Sequence, residues 1–548
     1  MRNENRTKDS HRPPLCASAP VLWSLIPIML GIAAANAGPQ WILWEGLILA
    51  GVVGIRPLRK HAWLCIGSYA GGAILMLLHA THPHPEWKYL PPREASAVIQ
   101  VVENFNARKD GRVAGIGKIL QTDLPFDTIS SRPVAYYLES DAFTQKPPSI
   151  GHVFECTGVL TYLPFQPELD DYQTYLFRRD IFLTINRGKT TRTGPGAPPI
   201  ERLRQHLFHS GESVLARDPD SETSPGRVLA SMMLGSRSLL SDRRIELYKM
   251  TGTYHLFAVS GLHVGGVALC LQGFCMLIRI RGIPLFICTM TGTWYYVWLT
   301  GSSPSATRAG IMITCLGASR YLLRQPHLFP ALALSAWIVL IIDPIQLFNL
   351  GFQLSYGVVA SIVLTGLPVA AHFRAVYSLD PYEKHPLPRW KHHLYRLLWG
   401  IIDLSCISLS AGLASMPLII EHFGLFTPGG IVMGIVLNPL ATLVIMTGCL
   451  SILTGMIIPL VGGWIAYAAW PAVWCMESLL RVCLAVPGSV SARNWPIPGT
   501  GTALLIAMLT VAWALQAIRQ RYPSMPPLSH AISFLLMLCG LSFTQLDA

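Results

Sequence analysis

The sequence predicts an α-helical membrane protein that crosses the bilayer about 10–13 times and carries one small inserted β-barrel domain. Three observations lead to this fold class. Hydrophobic residues make up 51% of the 548 residues and charged residues only 13%, about half of the quarter that is usual in soluble proteins. Apolar runs long enough to span lipid recur almost to the last residue. One stretch of roughly a hundred residues lacks such runs and is rich in turn residues.

The net charge of +12 reflects membrane topology more than a nucleic-acid surface. Residues 93–195 are neutral, with 12 Lys/Arg against 12 Asp/Glu, and the basic excess lies in short loops between apolar runs. The positive-inside rule places such loops in the cytoplasm. With Arg2, Arg6, Arg59 and Lys60 inside, the N-terminus is cytoplasmic and the inserted domain is extracytoplasmic.

The chain divides into four parts. Residues 1–92 contain three apolar runs and predict three transmembrane helices. Residues 93–195 predict the extracytoplasmic barrel. Residues 196–250 predict amphipathic helices at the membrane surface, the second of which runs from Pro225 to Met250. Residues 251–548 return to the membrane.

Five short runs in the second part predict strands, because they are rich in β-branched residues and are bounded by Gly, Asp and Pro. These runs are Ala97–Val102, Gly115–Ile119, Ala135–Leu138, Val153–Leu160 and Ile181–Ile185. Five short strands suit a small barrel, and the OB-fold is the expected type.

The fourth part contains a further series of apolar runs. The predicted spans lie near residues 253–278, 283–300, 304–323, 328–342, 347–369, 400–420, 428–461, 463–485, 501–518 and 531–545. The run 428–461 is too long for an ordinary span and fits one broken span or two. The total number of spans therefore stays open.

Four polar segments within these runs differ from ordinary lipid-facing helix. The first, Gly252–Gly266, contains His255, Ser260 and His263 together with Gly261. Ionisable groups inside a membrane usually face a cavity or a partner, and glycines permit a broken helix or close packing. The alternative is a packing face whose histidines are satisfied by neighbouring carbonyl groups.

The second segment, Gly301–Arg308, has Ser303 before Pro304, which predicts a helix start with proline at the first position. Free backbone N–H groups, with Arg308 about one turn further on, would form a site for a phosphate. The alternative is a capped helix whose Arg308 pairs with an acid such as Asp343.

The third segment, DPIQLFNLGFQLSY, places Gln353 and Ser355 inside a span, where we expect them to bridge helices. The fourth segment, beginning SLSAGLASMP, is a small-residue helix that ends in the charged pair Glu421 and His422. A role at a pore mouth and plain anchoring at the membrane interface are both open for this pair.

No residues suggest an enzyme or a bound cofactor. The sequence lacks an HExxH pair, a Walker loop and paired intramembrane carboxylates, which metal-dependent hydrolysis and ATP hydrolysis need. The 12 cysteines form no CxxC pair, and most lie in apolar runs, where a thiol packs as a small hydrophobic group. We therefore expect no catalytic residue, no metal and no cofactor.

Together, the four segments resemble the ComEC family, the channel proteins of natural competence. The motifs that carry the resemblance are HLFAVSGLHVG, TGSSPSATRA, DPIQLFNLGFQLSYG and SLSAGLASMPLIIEHFG, in the family's order and rough spacing. Residues 151–185 also resemble the end of the family's extracytoplasmic OB-type domain, and the resemblance covers about residues 20–520. Many family members carry a metallo-β-lactamase-like domain, and this sequence contains no such segment.

The resemblance implies passage of single-stranded DNA across the inner (plasma) membrane during natural transformation. The barrel domain would receive the strand through aromatic stacking and basic groups. Because the domain has no net charge, the alternative is a structural role at the channel mouth. Its candidate DNA contacts are Tyr175, Phe177, Arg178, Arg179, Arg187 and Lys189. Polarity in lipid selects the candidate channel-lining or gating residues within the membrane, which are His255, Ser260, Gly261, His263, Ser303, Arg308, Gln353, Glu421 and His422.

The same resemblance implies several partners. Membrane lipids surround the helices, and a periplasmic DNA-receptor protein would deliver the DNA. A separate nuclease would supply the activity of the missing domain. A homodimer would provide a pore wide enough for DNA.

Two other functions stay open. The helix start at Ser303 and Arg308 would suit a transporter for another anionic or lipid-linked solute. His255, Ser260 and His263 would suit an intramembrane enzyme, although no acid that could orient a histidine lies nearby in the sequence. A transporter predicts an envelope defect with normal DNA entry, whereas an enzyme predicts that Ser260→Ala abolishes activity at normal expression.

Overall fold

A computed structural model describes most of the chain. The described residues are 20–37, 62–79, 92–104, 113–123, 132–139, 151–163, 173, 176, 181–193, 198–216, 224–236, 239–322, 328–377, 389–455, 458–486, 490–521, 532 and 536. The chain splits into two compact units, of which the smaller is Leu78–Ser210 and the larger combines Met1–Leu77 with Gly211–Ala548.

The smaller unit contains a closed barrel of five strands. The strands are β1 (Arg93–Asn104), β2 (Val113–Thr122), β3 (Pro133–Leu138), β4 (Val153–Tyr162) and β5 (Leu183–Thr193). Their order around the barrel is β1-β2-β3-β5-β4, and all neighbours are antiparallel except the parallel pair β3 and β5. The predicted inserted barrel is confirmed.

The last strand differs from its prediction at Ile181–Ile185, because β5 begins later and continues well beyond that run. The apolar pattern in the sequence ends at Ile185 because the next outward-facing residues, Arg187 and Lys189, are polar. Both are exposed, whereas Gly188 between them is buried. Polar side chains on the outer face of a strand leave its backbone free to pair. Pairing with β4 therefore extends β5 past the apolar run.

The barrel interior is closely packed. Fully buried side chains in its core include Ile99, Tyr136, Phe154, Cys156 and Ile185. The rings of Tyr136 and Phe154 meet edge to face, with centroids 5.4 Å apart, an arrangement that the ring quadrupoles favour. A Cβ at Gly117 would lie 2.1 Å from Cγ2 of Ile99, so only glycine fits there.

The helices of the chain are numbered in sequence order. They are α1 (Pro20–Ala37), α2 (Ala62–His79), α3 (Pro199–Ala216), α4 (Pro225–Leu234), α5 (Asp242–Met250), α6 (Gly261–Leu277), α7 (Gly282–Leu299), α8 (Pro304–Leu322), α9 (Leu328–Ile342), α10 (Leu350–Ser361), α11 (Leu367–Tyr377), α12 (Arg389–Phe423), α13 (Pro428–Gly455), α14 (Pro459–Ala485) and α15 (Thr500–Arg521). Shorter elements are the 3₁₀ turns Tyr254–Phe257 and Pro344–Phe348, the π-helical turn Ile362–Gly366, and the strand pair β6 (Leu425–Phe426) and β7 (Ser491–Ala492).

Five described helical segments are long and apolar enough to cross a membrane, which confirms the polytopic fold class. They are Leu350–Val376, His393–Phe423, Pro428–Gly455, Pro459–Ala485 and Thr500–Arg519. Four shorter apolar helices accompany them: Ser24–Asn36, Trp63–Leu78, Gly261–Leu277 and Leu328–Ile342. The predicted total of about 10–13 spans stays a prediction. Of the predicted run 531–545, all but residues 532 and 536 lies outside the described residues.

The ambiguous run 428–461 begins with a single helix. α13 continues without a break for 28 residues, with Pro439 inside it. A new helix, α14, begins at Pro459 after residues 456–457, which the structure does not describe. Of the two alternatives for this run, the described part is one long span rather than two.

The segment 196–250 differs in part from its prediction as surface helices. The sequence predicts one helix from Pro225 to Met250, but the helix ends at Gly235, whose φ of 73° is left-handed and suits glycine. Eight of the ten residues of α4 are buried, and α4 packs against α13 and α14. This packing fits the apolar residues of α4, which surround the helix and leave no broad polar face. The location of residues 196–250 at the membrane surface stays a prediction.

Cys156 provides a test of the closed barrel. Burial raises the pKa of its thiol to about 12, and the neighbouring Glu155 adds to this effect. Alkylation requires the thiolate, whose fraction at a given pH falls roughly thousandfold for such a pKa. Iodoacetamide at about pH 8 should therefore leave Cys156 unmodified in the folded full chain and modify it after denaturation, as measured by peptide mass spectrometry. Complete modification in the folded chain would contradict the closed barrel.

Candidate functional site

Ser260 and His263 form one polar unit at the start of α6. The backbone N–H of Ser260 donates to Nδ1 of His263 at 3.2 Å, and Oγ of Ser260 lies 2.9 Å from the same nitrogen. The third residue of the helix thus bonds back to the residue that caps it, as in a capping box. Because Nδ1 accepts a bond from an N–H group, the proton of the neutral ring lies on Nε2.

His263 is fully buried, and its Nε2 has no hydrogen-bond partner within the described part of the chain. A buried donor that lacks an acceptor costs on the order of 1–3 kcal/mol. This N–H group is therefore suited to bind a water molecule or a ligand atom.

His255 lies apart from this unit. Its side chain is exposed, and its Nδ1 lies 3.1 Å from the carbonyl oxygen of Gly252. Across the described residues, no hydrogen bond joins it to Ser260 or His263. Of the three residues that the sequence groups together, the structure joins only two.

The helix break in the first segment precedes the glycines. The predicted span begins at residue 253, but a 3₁₀ turn and an extended stretch come first, and α6 begins at Gly261. Gly266 serves close packing instead, because a Cβ there would lie 2.8 Å from Cγ2 of Ile445 on α13.

The second segment is a capped helix start, as predicted. Gly301 and Ser302 have positive φ values of 84° and 51° and form a tight turn. Oγ of Ser303 accepts a hydrogen bond from the backbone N–H of Ala306 at 3.4 Å, and Pro304 is the first residue of α8. Serine before proline is the arrangement that favours a helix start.

Arg308 is 4% exposed and bonds to the third segment. Its Nε and Nη2 donate to Oγ of Ser355 at 3.3 and 3.2 Å. The alternative partner, Asp343, instead accepts from the backbone N–H of Ile345 at 3.1 Å and from Nε2 of Gln346 at 2.9 Å. None of the ion pairs among the described residues includes Arg308, so this buried cation is held by a neutral hydroxyl.

The backbone of the third segment approaches Arg308 closely. A Cβ at Gly351 would lie 2.9 Å from Nη2 of Arg308, and Asn349 caps α10 by accepting from the N–H of Gly351 at 2.8 Å. Ser355 bridges two helices as predicted. Gln353 does not bridge two helices. Its Nε2 donates to the carbonyl of Leu347, in the preceding 3₁₀ turn, at 3.2 Å.

In the fourth segment, Glu421 caps another helix. Its carboxylate accepts from the backbone N–H of Gly499 at 2.5 Å and of Thr502 at 2.9 Å, and from the Thr502 hydroxyl at 3.2 Å, at the start of α15. A carboxylate at a helix N-terminus also meets the positive end of the helix dipole. Nδ1 of His422 lies 3.1 Å from the carbonyl of Leu418 in its own helix.

The four segments are neighbours in series. A Cβ at Gly261 would lie 3.9 Å from Cβ of Ala309, which joins the first segment to α8. Arg308 and Ser355 join the second to the third. Ser361, at the end of α10, lies 3.0 Å from the buried Oγ of Ser410 in the fourth. The helices that carry these segments are therefore neighbours, although the segments are far apart in the sequence.

The barrel residues proposed to contact DNA are only partly described. Arg187 and Lys189 are exposed on β5, and Arg187 has a positive φ of 54°. The remaining four, Tyr175, Phe177, Arg178 and Arg179, lie outside the described residues.

Two polar pairs between helices were not predicted from the sequence. Glu477 of α14 forms an ion pair with Arg244 of α5, and Asn438 of α13 donates to Oγ of Ser408 on α12 at 3.3 Å. The signal for Glu477 was present, since it is the one carboxylate in the apolar run 463–485 and such residues find partners in lipid. Asn438 is likewise a polar residue within the apolar run 428–461.

This architecture defines a polytopic membrane protein with an inserted five-stranded barrel and a buried arginine among its helices. The family model described as Competence protein matches residues 232–520, which is more than half of the chain. The chain belongs to this family, and the ComEC resemblance is confirmed.

The chain is similar in sequence to proteins of three bacteria. ComE operon protein 3 of Bacillus subtilis is 27% identical over 290 residues, which are 52% of this chain and 33% of that protein. The uncharacterized protein YcaI of Escherichia coli is 24% identical, over 43% of this chain and 29% of that protein. Recombination protein 2 of Haemophilus influenzae is 26% identical, over 32% of this chain and 23% of that protein. Each match thus spans a third or less of the relative's length, and no solved structure matches the chain.

The role of Ser260 as a helix cap can be separated from a role as a nucleophile. Ser260→Ala should lower the thermal stability of the protein in detergent, by about 1 kcal/mol, because the cap is lost. Ser260→Asn should restore it, since asparagine also caps helices. DNA entry in cells should recover in parallel. If both variants abolish activity at normal membrane levels, the hydroxyl itself is required and an intramembrane reaction becomes the better explanation.

The cap formed by Glu421 should contribute to stability. Glu421→Ala leaves two backbone N–H groups of α15 without their acceptor and should destabilise the protein by roughly 1–3 kcal/mol. Glu421→Gln, which keeps an acceptor, should cost less. The measurement is thermal inactivation in detergent followed by size-exclusion chromatography. His422→Ala is the matched control, and equal stability of Glu421→Ala and His422→Ala would argue against the cap.

Proposed function

We propose that this chain conducts single-stranded DNA across the inner membrane during natural transformation. The family supports a role in DNA uptake, and its relatives include a protein of the ComE operon and a recombination protein. On this proposal the chain is not an enzyme, and a separate nuclease and a periplasmic DNA-receptor protein act with it.

The observation that carries the proposal is the state of Arg308. A guanidinium group buried at 4% exposure, with Ser355 as its partner and no carboxylate paired to it among the described residues, is expensive in lipid. A passing anion would supply the missing counter-charge. Arginine binds phosphate oxygens with its planar set of donors, and a DNA strand presents one phosphate per nucleotide.

The surroundings of Arg308 favour an anion as well. The start of α8 lies one turn away and directs backbone N–H groups and positive dipole toward this region. Its cap is the neutral Ser303, and α10 begins with the neutral cap Asn349. Unlike α15, whose start is neutralised by Glu421, these two helix starts keep their positive character.

The exposed Arg187 and Lys189 of β5 support a second part of the proposal. Small barrels of this kind bind single strands along a basic, aromatic-lined groove. Because residues 93–195 are neutral overall, the barrel would hold the strand weakly and pass it on. A transporter for another anionic solute would use Arg308 in the same way, and DNA-entry measurements separate the two functions.

Substitution of Arg308 should block entry at the inner membrane. Arg308→Gln removes a charged contact to phosphate worth roughly 1.5–3 kcal/mol, so DNA entry into the cytoplasm should fall about 10- to 100-fold while DNA in the periplasm accumulates. Arg308→Lys keeps the charge but loses the planar set of donors. DNA entry in this variant should therefore lie between that of Arg308→Gln and that of the unchanged protein. Labelled DNA is counted separately in the two compartments, and membrane levels of each variant are measured by immunoblot.

The matched control is Arg320→Gln, in the last turn of the same helix, where the side chain is exposed. This variant should behave as the unchanged protein. Deletion of the gene should abolish cytoplasmic entry, and the 548-residue chain should restore it. Normal entry in the deletion strain would refute the DNA-channel proposal and favour another anionic solute.

A further inference from the structure

Glu477 is a buried carboxylate that the DNA-uptake proposal leaves unused. It lies in the apolar helix α14 and is 6% exposed. Nε of Arg244, on α5, lies 2.8 Å from its Oε1, and Nη2 of Arg244 donates to Oε2 at 3.5 Å. Arg481 is a weaker partner, with a side chain 65% exposed and its Nη2 3.5 Å from Oε2.

Helix α5 depends on this ion pair because it has little apolar surface. Five of its nine residues are charged, and Tyr248 is its one buried residue. Arg244 also donates from Nη1 to the carbonyl of Ser224 at 3.0 Å, the residue that caps α4. Arg244 therefore attaches α5 both to α14 and to the start of α4.

The other end of α5 contacts the 3₁₀ turn Tyr254–Phe257, which precedes Ser260. The rings of Tyr248 and Phe257 meet edge to face, with centroids 4.6 Å apart and an interplanar angle of 88°, and both side chains are fully buried. The backbone N–H of Thr253 donates to the carbonyl of Tyr248 at 2.9 Å. Ser260 follows Phe257 by three residues, so the end of α5 determines where the Ser260 and His263 unit lies.

We propose that Arg244 and Glu477 are positioning residues for this unit. The ion pair fixes α5 to α14, and Tyr248 and Phe257 transmit that placement to the start of α6. A buried ion pair contributes little net stability compared with apolar side chains, but it does define one arrangement of the helices. The consequence for DNA entry rests on the proposed function, whereas the positioning itself is measurable without DNA.

Hydrogen exchange of the full chain in detergent tests the positioning. Glu477→Gln removes the counter-ion of the half-buried Arg244, so exchange in residues 251–263 should rise at least about tenfold, as local opening becomes easier. Peptides from α10 and α12 should keep their rates. Combining Arg244→Gln with Glu477→Gln should bring exchange back toward that of the unchanged protein, because the two substitutions couple through the same contact.

Two further comparisons separate positioning from general loosening. Tyr248→Ala should raise exchange in the same peptide, whereas Tyr248→Phe should not, since its ring contact persists and its hydroxyl has no hydrogen-bond partner among the described residues. Arg481→Gln, which removes only the exposed partner, should change exchange less than about twofold. A uniform rise across all peptides in Glu477→Gln, or no rise in 251–263, would overturn the proposal.

DNA entry completes the test. Glu477→Gln should lower cytoplasmic entry of labelled DNA at unchanged membrane level, and the double variant should recover part of it. If exchange rises in Glu477→Gln but entry is normal while gene deletion abolishes it, the pair positions the segment but DNA entry does not depend on that placement, and the part of the inference that concerns DNA entry is overturned. If the deletion itself leaves entry normal, the DNA-channel proposal fails, and hydrogen exchange alone then decides whether the pair positions the segment.

Discussion

Hydrocarbon offers no hydrogen-bond partners, and a polar side chain within the apolar helices of this protein is stabilised by partners that the protein supplies. The hydroxyl of Ser355 accepts hydrogen bonds from the guanidinium of Arg308. Arg244 forms an ion pair with the carboxylate of Glu477. Each of these contacts joins two helices that are distant in the sequence. The arrangement of the helices therefore follows from the pairing of a few polar side chains as well as from apolar packing.

Small residues also determine how closely the helices pack. Water does not drive helices together inside a bilayer, so close contact between their surfaces has to do so. A Cβ at Gly412 would lie 2.6 Å from Cγ1 of Ile431, and one at Gly501 would lie 2.3 Å from the carbonyl oxygen of Pro417. The small-residue segment of α12 is thus a packing surface for α13 and α15, and the same close approach brings the polar groups within hydrogen-bond distance.

The helix starts differ in charge, and this difference bears on function. Ser260, Ser303 and Asn349 cap their helices as neutral residues, whereas Glu421 caps α15 as a carboxylate. The positive ends of α6, α8 and α10 are consequently not neutralised by their own caps. Two of these starts lie beside Arg308, and the N–H of His263 Nε2 lies free of partners within the described residues. The starts of α8 and α10 together with Arg308 give this part of the helices a positive electrostatic character.

The sequence by itself determined the fold class, the five strands of the barrel, the helix start at Ser303 and Pro304, and the segments that carry the family resemblance. These features depend on composition and on signals that act within a few residues, such as caps and the period of apolar side chains. Tertiary structure alone decided that Arg308 bonds to Ser355 instead of pairing with Asp343, that α4 is buried, and that Glu421 caps α15. Each of these outcomes depends on which helices are neighbours, and neighbour choice is a property of packing that no local pattern contains.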